Sequence, residues 1–223
     1  MKEDLALLYK EHHRQRGRYD YLFCQGERIP WLSKWIGKGK RVLDLGCRDG
    51  ALTQAFAEGN EVIGVDVDPE ALRRIKERLS IETYWLDLNG EWPFAKDSFD
   101  VIVSCELFEH LLFPARLLGN IALALKEGGL SIGSVPNAFR LRNRIRFLQG
   151  EEFDKDPTHL HLFSYTKLQG FLETSFSEVT ILPLGGHIAP LIPCHPALPK
   201  RVGALFAKDL LWCATNGIRS IFV

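Results

Sequence analysis

Between residues 40 and 136 an apolar run of strand length is followed three times by a stretch of helix length. KRVLDLG (40–46) precedes 50–58, EVIGVD (61–66) precedes 69–79, and FDVIVSC (99–105) precedes PARLLGNIALALK (114–126). A helix between successive strands returns the chain to the same end of the sheet, so the alternation predicts βαβ units and a parallel sheet. The unbroken apolar run at 99–105 predicts a strand covered on both faces. Pro69 suits a first helical turn, where its missing N–H has no partner to lose.

The pattern continues with a short strand at 81–85 and, after Gly128-Gly129, a fifth strand at 130–135. Further on, 165–174 reads as a helix, 177–183 as a strand, 200 onward as a short helix and 210–215 as a last strand. Two helices, 3–15 and 27–36, precede the first strand and either pack on the sheet edge or cover a site. The segment 137–163 loses periodicity and carries Arg140, Arg142, Arg144 and Arg146, which reads as a lid or substrate-binding insertion. With 223 residues, the chain is expected to form one domain over 1–223, with residues 1–36 as its N-terminal helices.

Lys+Arg and Asp+Glu both number 28, a net charge of zero. That excludes the overall basic footprint of a nucleic-acid or anionic-membrane binder, while a local basic patch remains open. Five scattered cysteines without a CxxC pair argue against a disulfide framework or zinc knuckle. No window offers 18 uninterrupted apolar residues and the N-terminus lacks a signal-peptide core, so no membrane span and a cytoplasmic location are expected.

The turn after the first strand, LDLGCRDG at 43–50, places Gly46 and Gly50 where a ligand would meet backbone unobstructed by a Cβ. About twenty residues later the second strand ends at Asp66, whose carboxylate can accept hydrogen bonds from both hydroxyls of a ribose. Asp66 alone would also read as a cap for the Pro69 helix. On this footing a dinucleotide and a sulfonium nucleoside are both admissible ligands.

LDLGCRDG, GVDVDP, DLNGEWPFAKDSFDVIVSCELFEHL and LKEGGLSIGSVPN together resemble the ordered motif set of class I S-adenosylmethionine (SAM) dependent methyltransferases. The likeness is closest to the small-molecule type 11 group, with its methionine-biosynthesis-associated and quinone O-methyltransferases. It implies a Rossmann-like α/β fold: a seven-stranded, mostly parallel sheet of order 3-2-1-4-5-7-6, last strand antiparallel, helices on both faces. It also implies SAM as cofactor and S-adenosylhomocysteine as product. Residue by residue, it puts Asp44, Gly46, Cys47, Arg48 and Gly50 around the methionine end of SAM, Asp66 on the ribose, and Val67 along the adenine. Asp87, followed by Leu88, faces the adenine amino group, and Ser104 and Cys105 lie under the sulfonium. Arg48 departs from the family pattern, which has a second glycine there.

A hydroxyl acceptor must lose its proton, which a group of pKa near 7 accepts best. His110 at the end of the fourth strand leads, with His159 and His161 in the 137–163 segment as further candidates and His187 beyond them. A structural histidine is the alternative for each. The reading takes no metal; the set that resembles a quinone-methyltransferase Mg²⁺ motif is Glu106, Glu109 and His110 in ExxEH, expected on one side of a helix. The family's Asn/Asp-Pro-Pro-aromatic tetrad is missing after the fourth strand, which favours a small-molecule oxygen over a planar nitrogen as acceptor. The four arginines could clamp an anionic acceptor or form a solvated helix face, and Phe139, Phe147 and Phe153 could cover the site or fill the core. Two other classes compete: a non-catalytic SAM-binding protein, prompted by Arg48, and a nicotinamide-dependent oxidoreductase.

Overall fold

The computed structural model describes residues 2–154, 156–189, 192–194 and 199–216. The chain opens with α1 (Lys2–Gln15) and α2 (Gln25–Ile36), then runs β1 (Arg41–Leu45), α3 (Gln54–Ala57), β2 (Glu61–Asp66), α4 (Pro69–Arg78), β3 (Glu82–Trp85) and β4 (Phe99–Cys105). After a 3-10 turn (Phe108–His110) come α5 (Pro114–Ala124), β5 (Leu125–Pro136), α6 (Leu141–Leu148), α7 (Tyr165–Glu173) and β6 (Glu178–Leu184). A small hairpin, β7 (His187–Ala189) and β8 (Ile192–Pro193), is followed by α8 (Lys200–Phe206) and β9 (Asp209–Thr215).

Seven strands form one sheet in the order β3-β2-β1-β4-β5-β9-β6. Counting sheet strands only, this is the order 3-2-1-4-5-7-6 implied by the resemblance. β9 is antiparallel to both neighbours and pairs Gly133 with Trp212 on one side and Ile181 with Trp212 on the other. A Cβ on Gly133 would lie 2.2 Å from the Trp212 ring, so only glycine leaves room for the indole there.

Alternation along the strands divides the core. Leu43, Leu45, Ile102, Leu210 and Trp212 face a layer containing Leu117, Leu118 and Ile121 of α5 and Leu168 and Leu172 of α7. Val42, Val101, Val103, Leu211 and Cys213 face the opposite layer, which holds Leu32 and Ile36 of α2 and Phe56 of α3. The helices thus cover both faces, as a parallel sheet requires.

Several elements differ from the sequence reading, α6 among them, since it lies in the 137–163 segment read as without periodicity. The helix expected over 50–58 is confined to Gln54–Ala57, because Gly50 is in the left-handed region (φ 76°) and 51–53 form turns. The strand expected from 130 begins at Leu125, which pairs with Phe99 before an irregularity in the register ahead of Val101. Among the described residues no helix is long and apolar enough to cross a membrane.

Candidate functional site

The carboxyl ends of β1, β2 and β4 open into a cavity of about 470 Å³, at the point where the strand order reverses direction. Open α/β sheets bind ligands at this position. Gly46 (φ 72°) turns the chain there, its N–H and that of Cys47 donating to Val65 O at 2.8 and 3.0 Å. Gly46, Cys47 and Arg48 all line the cavity.

Asp66 lies on the wall, 6% exposed. Arg48 N donates to its Oδ2 and Asp68 N to its Oδ1, both at 2.8 Å, which fixes the carboxylate while each oxygen keeps a further lone pair. Burial pushes its pKa up. The cap of α4 is therefore Asp68, whose Oδ1 accepts from Glu70 N at 2.9 Å, and not Asp66. Val67, Leu86, Asp87 and Leu88 continue the wall, with Asp87 Oδ1 accepting from Asn89 N and Nδ2.

Three residues expected at the cofactor stand behind the wall. Asp44 is buried and takes a 2.7 Å hydrogen bond from Thr53 Oγ1, and burial lifts its carboxyl to about 7. Ser104 is fully buried in β4, whereas its neighbour Cys105 reaches the cavity. Gly50 faces α4: a Cβ there would come within 2.5 Å of Ile75 Cγ1, so this glycine serves helix packing and the turn rather than ligand approach. The Arg48 guanidinium is held by Asp49 Oδ1 (3.2 Å) and by the carbonyl of Tyr21, so a carboxylate compensates its charge.

A second group of side chains faces the same space. Glu109, His110 and His159 each offer a ligand atom within 4.8 Å of the others, and the His110 and His159 rings lie 4.8 Å apart. His110 Nδ1 is 3.1 Å from Thr158 O; a carbonyl only accepts, so the proton is on Nδ1 and Nε2 carries the lone pair. Burial, reinforced by the charge of His159, lowers its pKa to about 4. His159 Nδ1 lies 2.8 and 3.0 Å from the two carboxylate oxygens of Asp154, which leaves its Nε2 as the basic nitrogen. Glu109 is 1% exposed with neither oxygen hydrogen-bonded, and burial, then the nearby charge of Glu106, drives its pKa up.

The ExxEH set does not assemble. Glu106 sits at φ 53° before the 3-10 turn and accepts from Arg28 Nη2 (3.1 Å) and Ser134 Oγ (2.8 Å), so it is not part of the converging trio. Two imidazoles with one carboxylate suit a zinc- or iron-like ion better than Mg²⁺, which favours oxygen ligands. His161 is absent from the wall, and its N–H donates to Glu109 O. His187, Arg140, Arg142 and Arg146 lie on a separate groove, and Arg144, Phe139, Phe147 and Phe153 are likewise off the cavity wall. Of the alternatives read for these residues, an anion clamp and an aromatic cover are not found at this cavity.

Of the two readings left open for the N-terminal helices, covering a site is the one seen, though none of the residues involved was singled out from the sequence. α1 supplies Leu5, Tyr9, His12 and His13, and Phe23 and Arg28 follow. Only Ala6 of α1 is buried, so polar contacts hold the helix: His13 Nδ1 to Asp68 at 2.8 Å and His12 Nε2 to Asp156 at 3.4 Å. Burial alone would raise Asp156, but hydrogen bonds from Thr158 bring it down to about 2, keeping it ionised opposite His12. The histidine pair in KEHH was the available signal, and its partners lie 55 and 144 residues away.

A family profile described as "Methyltransferase domain" matches residues 11–175. The chain is 29% identical over 142 residues to a probable S-adenosylmethionine-dependent methyltransferase of Mycolicibacterium smegmatis, covering 63% of this chain and 53% of that protein. It is 37% identical over 110 residues to the ubiquinone biosynthesis O-methyltransferase of Coxiella burnetii, covering 46% of each. The chain thus spans about half the length of these curated relatives. A SAM-dependent methyltransferase structure from Archaeoglobus fulgidus superposes with a TM-score of 0.65 at 21% identity, over 93% of this chain and 98% of that one.

Proposed function

The chain belongs to the methyltransferase-domain family, and from that premise we propose that it transfers a methyl group from SAM to a hydroxyl oxygen of a small-molecule acceptor. When bound, SAM supplies an electrophilic methyl on a positively charged sulfur. Asp66, aimed by two backbone amides, would hold the ribose hydroxyls. Val67, Leu86 and Leu88 give an apolar slot for the adenine, with Asp87 and Asn89 as its polar edge. Gly46 and Cys47 approach the methionine end. The pairing of Arg48 with Asp49 supports a catalytic reading over a non-catalytic one, since its charge is compensated within the protein.

The observation that carries the oxygen acceptor is the Asp154–His159 pair beside His110 on the cavity wall. His159, with Nδ1–H bound to a carboxylate, presents Nε2 as base; the acceptor hydroxyl's proton passes to it as the new C–O bond forms and the S–C bond breaks. Burial depresses His110 to about 4, so its Nε2 is a weak base that would accept a hydrogen bond from the hydroxyl rather than its proton. The base role anticipated for His110 accordingly moves to His159, and segment 137–163 serves the site through Asp154, Asp156 and His159. In-line positioning supplies the rest of the rate.

Thermal unfolding with saturating S-adenosylhomocysteine, SAM or NAD tests the cofactor. Ligand at 100 times its Kd adds about 2.7 kcal/mol, a shift of roughly 5–11 °C for a domain of this size. A shift with the sulfur nucleosides alone, lost in Asp66→Ala, is the expected result. His159→Gln should keep that shift and lower turnover about 10²–10⁴-fold. Equal turnover in this variant would remove His159 as base.

A further inference from the structure

Helix α6 is amphipathic, yet its apolar side is left largely open: Leu141 and Ile145 border a groove against Leu205 and Phe206, and Leu148 stands free of it. Leu141, Ile145 and Leu148, spaced i, i+4 and i+7 along one face, are 36%, 46% and 82% exposed, and Phe147 beside them is 67% exposed. Asn143 is the one buried residue of the helix. Around the stripe stand Arg140, Arg142, Arg144 and Arg146. Among the described residues only Arg146 has an ion pair, with Glu151. Arg144 Nε donates to Phe139 O and Arg140 Nε to Asn143 Oδ1, contacts that leave both charges uncompensated. Arg140, Arg142, Arg146 and Lys208 line an open groove beside the helix, in which Glu151 is the single carboxylate among the described residues. A chain of zero net charge therefore concentrates unpaired cations around an exposed apolar stripe.

We propose that α6 and the adjoining groove form a docking surface for an anionic phospholipid membrane, with Leu141, Ile145, Phe147 and Leu148 entering the headgroup–acyl boundary and the arginines and Lys208 contacting lipid phosphates. A basic helix with Phe, Leu and Ile on its other side lies in such an interface, apolar side down. Cations close to an anionic leaflet add attraction that a neutral surface cannot supply. Two features favour lipid over protein. Eight residues give a helix about 12 Å long, too little area for a stable protein interface of about 1,000 Å² or more. A symmetric contact with a second copy through α6 would also set Arg142 and Arg144 against like charges. None of the stripe residues lines the cofactor cavity, so the inference stands independently of methyl transfer.

The test is co-sedimentation of the full chain with phosphatidylcholine vesicles and with vesicles containing about one-third phosphatidylglycerol, at low and high salt. Binding to the anionic vesicles alone, weakened by salt, is expected. Ile145→Ser with Leu148→Ser, and separately Arg142→Glu with Arg144→Glu, should each weaken it about tenfold or more. Retention of the wild-type Tm and of any S-adenosylhomocysteine shift shows that the variants are folded. The proposal is overturned by absence of anionic-vesicle binding at low salt, by equal binding to neutral vesicles, or by variants that bind as the wild type does. It is equally overturned if size-exclusion chromatography without lipid shows a dimer that the same substitutions dissociate, since the occupant is then a second copy.

Discussion

α4 and α6 carry the same kind of pattern and meet opposite fates. In α4, Ala71, Leu72 and Ile75 are buried to 0%, 6% and 0% exposure, Asp68 caps the first turn, and the arginines of the outer face pair with Glu70 and Glu77. In α6 the apolar stripe is exposed, no side chain caps the first turn, and three of four arginines lack an acid among the described residues. An amphipathic helix therefore has a definite apolar side, while the covering of that side is decided elsewhere. For α4 the cover is visible as Gly50, whose missing side chain makes room for Ile75.

The contrast can be broken most forcefully at Ile75. Ile75→Ala should cost about 2–5 kcal/mol, read as a fall in Tm of roughly 5–15 °C, whereas an Ile75→Ala protein as stable as wild type would mean that α4 is no better anchored than α6. Gly50→Ala meets both a positive φ and the Ile75 side chain and should lose about 1–3 kcal/mol in urea unfolding. Asp68→Asn keeps a capping oxygen but loses the charge that His13 and Tyr19 bond, and should cost about 1 kcal/mol near neutral pH. Burial would raise the Asp68 carboxyl, but hydrogen bonds from His13 and Tyr19 outweigh it and hold its pKa below the ordinary 3.8. A lowered pKa contributes stability above about pH 4 that is lost as pH falls further, so the gap between wild type and Asp68→Asn should narrow in acid. At the other extreme, Ile145→Ala should change stability by no more than about 1 kcal/mol by the same urea titration, because folding leaves nearly half of it exposed.

Much of the sheet was legible because it follows local rules. Strand-length apolar runs, Pro69 at a first turn and glycines at the β1 turn each act over a few residues, and the strand order came from likeness to a family. The cofactor side of the site shares this locality: Gly46, Asp66 and Asp87 sit at strand ends that the apolar runs already mark. The other side did not, since Tyr9, Arg28 and Asp156 reach the cavity only through tertiary contacts, as with Arg28 to Asp209 across 181 residues. Arg140–Arg146 show the converse case, in which the sequence left two alternatives standing. Four like charges in sequence say that solvent or an anion is near, but not on which side of the molecule.

β9 lies between β5 and β6 although it is made after both. A ribosome adding 5–20 residues per second needs roughly one to five seconds for the 25 residues that separate Leu184 from Asp209. During that interval the emerging chain holds β5 as a bare sheet edge and β6 as a strand with no neighbour, both open to wrong pairing. Closure waits for a single insertion that places Trp212 over Gly133. Synthesis interrupted before Asp209 therefore leaves two open edges at once, so nascent chains of this protein should depend on chaperones up to the moment that last strand clears the exit tunnel.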